Sequence, residues 1–190
     1  MLNRRTFSAA MVGLAVSPAL AQAPANPPVT GLDLENTLLM DLKDGRVTIR
    51  MRPDLAPRHV AQIKTLVRRG FYNGNVFYRV IAGFMAQTGD PTGQGHVNSD
   101  LPNLPAEFSA EPYRRGILGM ARHDDPNSAN SQFFIMFADG AHLNGKYTVW
   151  AEVVSGMEHV DAIKKGDPAK GGRVIEPDRM LKLQVAADAR

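Results

Sequence analysis

The stretch from Phe77 to Asp90 reads FYRVIAGFMAQTGD, an apolar run that carries one basic side chain, Arg79. In a strand alternate residues share a face, so Phe77 and Arg79 lie on one side and Tyr78 on the other. The arginine then projects from an apolar face, where its five N–H donors need partners. The local pattern predicts a strand whose arginine is tied to a neighbouring carbonyl or to Gln87.

Short apolar or β-branched runs bounded by Gly, Pro and Asn surround this stretch and predict further strands. The first two are separated by Lys43-Asp44-Gly45, which is typical of a hairpin. We expect eight strands, at 36–42, 46–51, 76–81, 84–88, 117–121, 132–137, 148–153 and 180–186. So many short strands favour a sandwich or a barrel.

Two helices are predicted from apolar residues spaced three and four apart. The first covers 57–69, with Pro57 suited to the first turn and Gly70 to the C-terminal cap. The second covers 157–165 and has one mainly apolar face. The long loop at 90–106 is predicted to be either functional or poorly ordered.

Residues 1–23 have the three parts of an export signal: Arg4 and Arg5, an apolar stretch at 9–16, and small residues before a cleavage point at Ala21 or Ala23. The apolar stretch is too short for a span, which needs ~20 residues. The paired arginines resemble a twin-arginine signal, and a Sec-type signal is the alternative. We expect a Pro-rich tether at 24–31, a domain at 32–190, and a location in the periplasm.

Composition excludes several classes of function. The formal charge of +3 includes Arg4 and Arg5, and without them it is +1, so nucleic acid is not an expected partner. The absence of cysteine excludes disulfides and thiolate chemistry. A G-x-S-x-G elbow is missing, and His123-Asp124-Asp125 is interpreted as a solvated turn rather than a metal site.

Four ordered blocks of the chain resemble the cyclophilin family. The stretch from Phe77 to Asp90 is similar to the family signature F-x-R-[IV]-I-x-G-F-M-x-Q-x-G-D, and three further blocks follow it in the family's order. They are GILGMA at 116–121, SQFFI at 131–135 and LNGKYTVW at 143–150. The resemblance covers about 36–186.

This resemblance implies a mainly β fold, a closed eight-stranded antiparallel barrel capped by two helices. It implies cis-trans isomerisation of Xaa-Pro bonds in polypeptide substrates, without cofactor or metal, by a chain that we expect to be monomeric. Arg79 takes the place of the catalytic arginine, and Gln87 holds either this arginine or the substrate carbonyl. The implied substrate-binding residues are Phe77, Phe84, Met85, Ala121, Arg122, Gln132, Phe134, His142, Leu143 and Tyr147.

The chain departs from the family at the rim of this site. His142 stands where many members have tryptophan, which predicts weak cyclosporin binding, and Trp150 is interpreted as a core residue. Tyr147 stands where the family often has histidine, and the loop at 122–125 is one residue longer than in familiar members. Two alternatives remain at this point: a binding module with little turnover, and an unrelated hydrolase or metal enzyme that uses His123.

Overall fold

The structure is a computed structural model that describes residues 31–189. The predicted signal peptide lies outside the described residues, as does the predicted tether apart from Gly31. Within 31–189, every helix falls short of the length and apolar character that crossing a bilayer requires.

Eight strands form one antiparallel sheet. They are β1 (Thr37–Leu42), β2 (Gly45–Met51), β3 (Arg79–Ile81), β4 (Met85–Thr88), β5 (Ile117–Met120), β6 (Phe133–Met136), β7 (Val149–Ser155) and β8 (Lys182–Val185). Their spatial order is β3-β4-β6-β5-β7-β2-β1-β8. All eight predicted strands are present, and the β1–β2 hairpin turns at Lys43 and Asp44 because Leu42 pairs with Gly45.

Two helices accompany the sheet. Helix α1 (Pro57–Arg68) begins with Pro57 in its first turn and buries its apolar face, including Ile63 and Leu66. Gly70 follows with φ of 71°, a left-handed conformation that glycine adopts without strain. Helix α2 (Met157–Asp161) is shorter than predicted. The chain leaves the helix early because the Lys164 backbone N–H donates to the Asp178 carboxylate at 2.8 Å.

The sheet curls but does not close as a continuous ladder, which corrects the expectation of a closed barrel. Strands β3 and β8 form its two edges. The segments before them are joined by a few backbone contacts, including Gly74 N–H to Met180 O at 2.7 Å. The open edge of β3 pairs instead with the loop near Gly172, whose carbonyl accepts from Val80 N–H at 2.8 Å. This loop therefore occupies the place that β8 would take in a closed ladder.

The main core fills the inside of the curled sheet and includes Trp150, Phe133 and Tyr72. Trp150 is fully buried, so its interpretation as a core residue is confirmed. Its ring meets Phe133 edge to face, with centroids 5.3 Å apart. A second apolar cluster, around Met85, Phe134 and Leu143, lies between the sheet and the surface.

Asp90 organises the first part of the long loop after β4. Its fully buried carboxylate accepts hydrogen bonds from both the backbone and hydroxyl of Thr92, and from the backbone N–H groups of Gly95, His96 and Val97. Burial alone raises the pKa of Asp90, but these donors outweigh it and leave the pKa below its ordinary value. The loop is therefore ordered around a buried negative charge.

Glu107 fixes the far part of the same loop against helix α1. Ala56 offers the helix no side-chain cap. Glu107 supplies one by accepting from the backbone N–H groups of Arg58 at 3.1 Å and His59 at 3.0 Å, and it contacts His59 Nδ1 at 2.6 Å. The positive end of the helix dipole adds to this stabilisation.

The two ends of the described chain lie together beside α1. Arg68 donates to Glu35 Oε1 at 2.8 Å, near the start, and to Asp188 Oδ2 at 2.9 Å, near the end. Lys64 adds an ion pair with Glu35 at 3.0 Å.

Candidate functional site

A cleft of about 290 Å³ opens over the second apolar cluster, and we call it the main cleft. Strands β3, β4 and β6 supply its floor and one wall, and the loops after β5 and β6 supply the rest. It is lined by Arg79, Phe84, Met85, Gln87, Ala121, Arg122, Phe134, His142, Leu143 and Tyr147. The cleft thus combines an apolar floor with two arginines.

Arg79 is held at the edge of the cleft by two neutral oxygens. The β3–β4 register pairs it directly with Gln87, so the two side chains share a face. Its Nη1 donates to Gln87 Oε1 at 3.1 Å, and its Nε donates to Gly171 O at 3.1 Å. These bonds use two of its five N–H donors and leave its positive charge unneutralised by either partner. The sequence predicted either a backbone carbonyl or Gln87 as the partner of Arg79, and the structure confirms both partners.

Met85, Phe134 and Leu143 form the floor of the cleft and are almost fully buried. Phe134 is fixed from behind by the Tyr113 ring, which stacks on it at 5.8 Å between centroids. Gly119 makes this arrangement fit, because a Cβ there would collide with both the Phe134 ring and the Tyr113 hydroxyl. The floor is therefore a rigid apolar surface.

Aromatic side chains and one arginine form the rim. His142 is exposed and lies against the Phe84 ring, with centroids 5.4 Å apart. On the opposite side Tyr147 meets Phe134 edge to face at 5.9 Å, and the Arg122 guanidinium lies 4.4 Å from the centre of the Tyr147 ring. Arg122 also donates to Lys146 O at 3.0 Å from Nη2, which orders the loop after β5.

A smaller cavity of about 80 Å³ adjoins the main cleft and shares Gln87, Ala121 and Arg122 with it. Gln132 lines this side cavity rather than the main cleft. The predicted site residues thus fall in one region, with a single exception.

Phe77 is that exception. It is fully buried in the main core, so it offers no surface to a ligand. The resemblance implied a substrate-binding role for Phe77, which is wrong, since Phe77 lies before β3, which begins at Arg79. The Phe77 backbone is bound instead to Asp178 O at 3.0 Å, and its ring turns inward.

Tyr78 belongs to the polar side of the site, a role that neither the strand pattern nor the family resemblance predicted. Its hydroxyl accepts from Gln87 Nε2 at 2.5 Å and donates to Gln132 Oε1. Burial, the larger cause, and the nearby Asp90 charge raise the pKa of Tyr78 far above its ordinary value, so the phenol stays protonated. A buried tyrosine needs a partner for its hydroxyl, and this need was the one available signal in the sequence.

Comparison with known proteins identifies the family. A family model described as "Cyclophilin type peptidyl-prolyl cis-trans isomerase/CLD" matches residues 37–185. A "Probable peptidyl-prolyl cis-trans isomerase" from Brucella suis biovar 1 (strain 1330) is 52% identical over 194 residues, covering 96% of this chain and 95% of that protein. The protein of the same description from Brucella abortus (strain 2308) has the same identity and coverage.

Solved structures agree. The cyclophilin AquaCyp293 from Hirschia baltica has a TM-score of 0.75 at 27% identity, covering 84% of this chain and 77% of that one. A cyclophilin type isomerase from Cryptosporidium parvum, crystallised in the presence of the dipeptide Ala-Pro, has a TM-score of 0.72 at 25% identity, covering 78% of this chain and 98% of that one. The sequence, the sheet order and these matches place the chain in the family of cyclophilin-type peptidyl-prolyl cis-trans isomerases.

Proposed function

We propose that the main cleft accelerates rotation about Xaa-Pro bonds in folding or exported polypeptides by stabilising the twisted amide without a covalent intermediate. The observation that carries this proposal is the position of Arg79, a charged donor held by two neutral oxygens beside an apolar floor.

The reaction explains why an arginine suits this position. Uncatalysed rotation faces a barrier of ~18–20 kcal/mol because amide resonance must be lost. In the twisted state the proline nitrogen regains a lone pair, which a guanidinium N–H can bind. The planar amide offers no such lone pair, so the arginine stabilises the transition state more than the bound substrate.

The apolar floor supplies the other half of the function. Met85, Phe134 and Leu143 match a pyrrolidine ring in polarity, and their fixed positions leave little entropy to lose on binding. Excluding water from this floor also strengthens the arginine's electrostatic interaction. The Ala-Pro dipeptide used with the Cryptosporidium parvum protein supports a substrate of this kind.

Replacing Arg79 tests the proposal. Arg79→Ala should lower kcat/KM for a peptide with an Ala-Pro bond by about 100-fold or more, because the main donor to the transition state is lost. A protease-coupled or NMR exchange assay measures this rate. Arg58→Ala is the matched control, since Arg58 is exposed on α1 and does not line the cleft. Equal activity in the wild type and Arg79→Ala would contradict the proposed role.

We also propose export to the periplasm, with the isomerase domain at 32–190. The basic, apolar and small-residue parts of residues 1–23 support this location, by a twin-arginine or a Sec route. N-terminal sequencing of the periplasmic fraction should give a chain that starts after Ala21 or Ala23. An uncleaved chain confined to the cytoplasm would contradict it. We also expect a monomer, which size-exclusion chromatography with light scattering measures.

A further inference from the structure

The amide of Gln87 has a definite orientation that its bond with Arg79 requires. An amide has an accepting oxygen at one end and a donating nitrogen at the other. Arg79 only donates, so it bonds to Gln87 only when the oxygen faces it, as in the structure. Any further bond that fixes the amide in this orientation therefore also strengthens the hold on Arg79.

The hydrogen bonds that fix this orientation begin at the long loop after β4, with Gln132. Gln132 Nε2 faces two acceptors there, Val97 O at 3.2 Å and Asn98 Oδ1 at 3.1 Å. The Gln132 oxygen must then face the other way, toward Tyr78, whose single O–H donates to it. Val97 O is a backbone carbonyl and can only accept, so it sets one end of this series of hydrogen bonds.

The Tyr78 hydroxyl determines which end of the Gln87 amide faces it. Because its only proton is directed to Gln132, the hydroxyl presents lone pairs to Gln87 and accepts from Nε2 at 2.5 Å. The amide nitrogen of Gln87 is held there, and its oxygen is left facing Arg79. Tyr78 is 5% exposed, so water has little access to replace these bonds.

We propose that Tyr78 is a positioning residue for the isomerase reaction: its hydroxyl orients the Gln87 amide and thereby holds the Arg79 guanidinium over the main cleft. The proposal rests on the proposed function of Arg79. Without the hydroxyl, Gln87 Nε2 loses its acceptor, so the bond to Arg79 alone orients the amide and the guanidinium is held less firmly.

Tyr78→Phe tests the proposal, and Tyr72→Phe is the matched control. The Tyr72 hydroxyl is also buried and donates to Ser131 O at 2.9 Å, but this bond does not involve the side chains of Gln132, Gln87 or Arg79. We expect Tyr78→Phe to lower kcat about three- to tenfold, the effect of one hydrogen bond, with KM changed less than about twofold. Tyr72→Phe should stay within about twofold of wild type.

A double-mutant cycle separates positioning from general damage. Gln87→Met removes the amide, so adding Tyr78→Phe to it should lower kcat less than about twofold further. Effects that multiply fully in the double variant would overturn the proposal, as would equal kcat in Tyr78→Phe and Tyr72→Phe. If Arg79→Ala also keeps full activity, the proposed function fails as well. If Arg79→Ala is inactive, only the role of Tyr78 fails.

A measurement on the wild-type protein covers the case in which Tyr78→Phe does not fold. The side-chain amide protons of Gln87 should exchange with deuterated solvent at least about tenfold more slowly than those of Gln94, which is exposed. Equal exchange rates for the two side chains would overturn the proposal.

Discussion

His142 determines the character of the rim at the scale of single residues. Its ring lies against Phe84 and is exposed, so the cleft wall ends in a small polar ring rather than a large one. An indole at this position would extend the apolar wall and add an N–H donor that points outward. The size and donors of the rim thus affect large ligands more than a single proline ring.

His142→Trp should tighten cyclosporin binding at least tenfold, because one added hydrogen bond and the larger contact area together exceed about 1.4 kcal/mol. Isothermal titration with cyclosporin measures the change. Ala141→Trp is the control, since Ala141 is the exposed neighbour and does not line the cleft. Tight binding by the wild type, or an equal gain in both variants, would contradict the role given to the rim.

Pattern and resemblance predicted the partner of Arg79 because strand register is a local property: the short turn around Gly83 brings Gln87 opposite the arginine. The same reasoning misplaced Phe77, whose direction depends on a contact with Asp178 about 100 residues away in sequence. It also missed Tyr78, because the loop that supplies Asn98 is placed by tertiary contacts. Sequence patterns therefore predicted the Arg79–Gln87 pair, whose members are close in sequence, but not the positions of side chains that are fixed by residues distant in sequence.

At the scale of elements, the long loop between β4 and β5 is ordered although it contains no helix and none of the eight strands. Asp90 holds its first turn, and Glu107 holds its far part against α1. The loop also carries Val97 and Asn98, the acceptors for Gln132. Order in this loop therefore contributes to the geometry of the site.

Asp90→Asn should lower the free energy of unfolding by about 2–3 kcal/mol, because an amide nitrogen would replace an oxygen that now accepts from backbone N–H groups. Urea unfolding measures this loss. Asp100→Asn is the control in the same loop, where an exposed carboxylate pairs with Arg69 at 3.2 Å, and its effect should stay within about 0.5 kcal/mol. Equal losses in the two variants would contradict the role of Asp90.

The number and type of the elements followed from the sequence, since alternation and turn residues mark each strand separately. The bounds of α2 and the pairing at the edges of the sheet could not be predicted from the sequence. Both depend on how the segment around 164–178 packs: Asp178 takes the Lys164 N–H, and Gly172 pairs with β3. No periodic pattern marks this segment, so only the folded structure shows it.

At the scale of the whole molecule, the pair of buried His59 and half-buried Glu107 links stability to pH. Burial is the largest cause that lowers the pKa of His59, and the Glu107 carboxylate opposes it only in part. His59 therefore binds a proton more readily in the unfolded chain, where its pKa is about 6.5. Its contribution to stability is complete above that pH and is lost as the pH falls through the lower folded value.

The free energy of unfolding should therefore decrease below about pH 6.5, with a slope of up to about 1.4 kcal/mol per pH unit from this one group. His59→Asn keeps a donor for Glu107 but does not titrate, so its unfolding curve should lose this slope. Denaturant unfolding between pH 5 and pH 8 measures it. His123→Asn, at an exposed histidine, should keep the slope, and equal slopes in all three proteins would contradict the assignment.

Arg68 joins Glu35 and Asp188, so both ends of the described chain leave the domain from the same side. None of these three residues lines the main cleft. A second domain or a surface attachment fused at either end would thus be anchored beside α1, next to residues that take no part in lining the cleft. A fusion at one end should therefore behave like a fusion at the other.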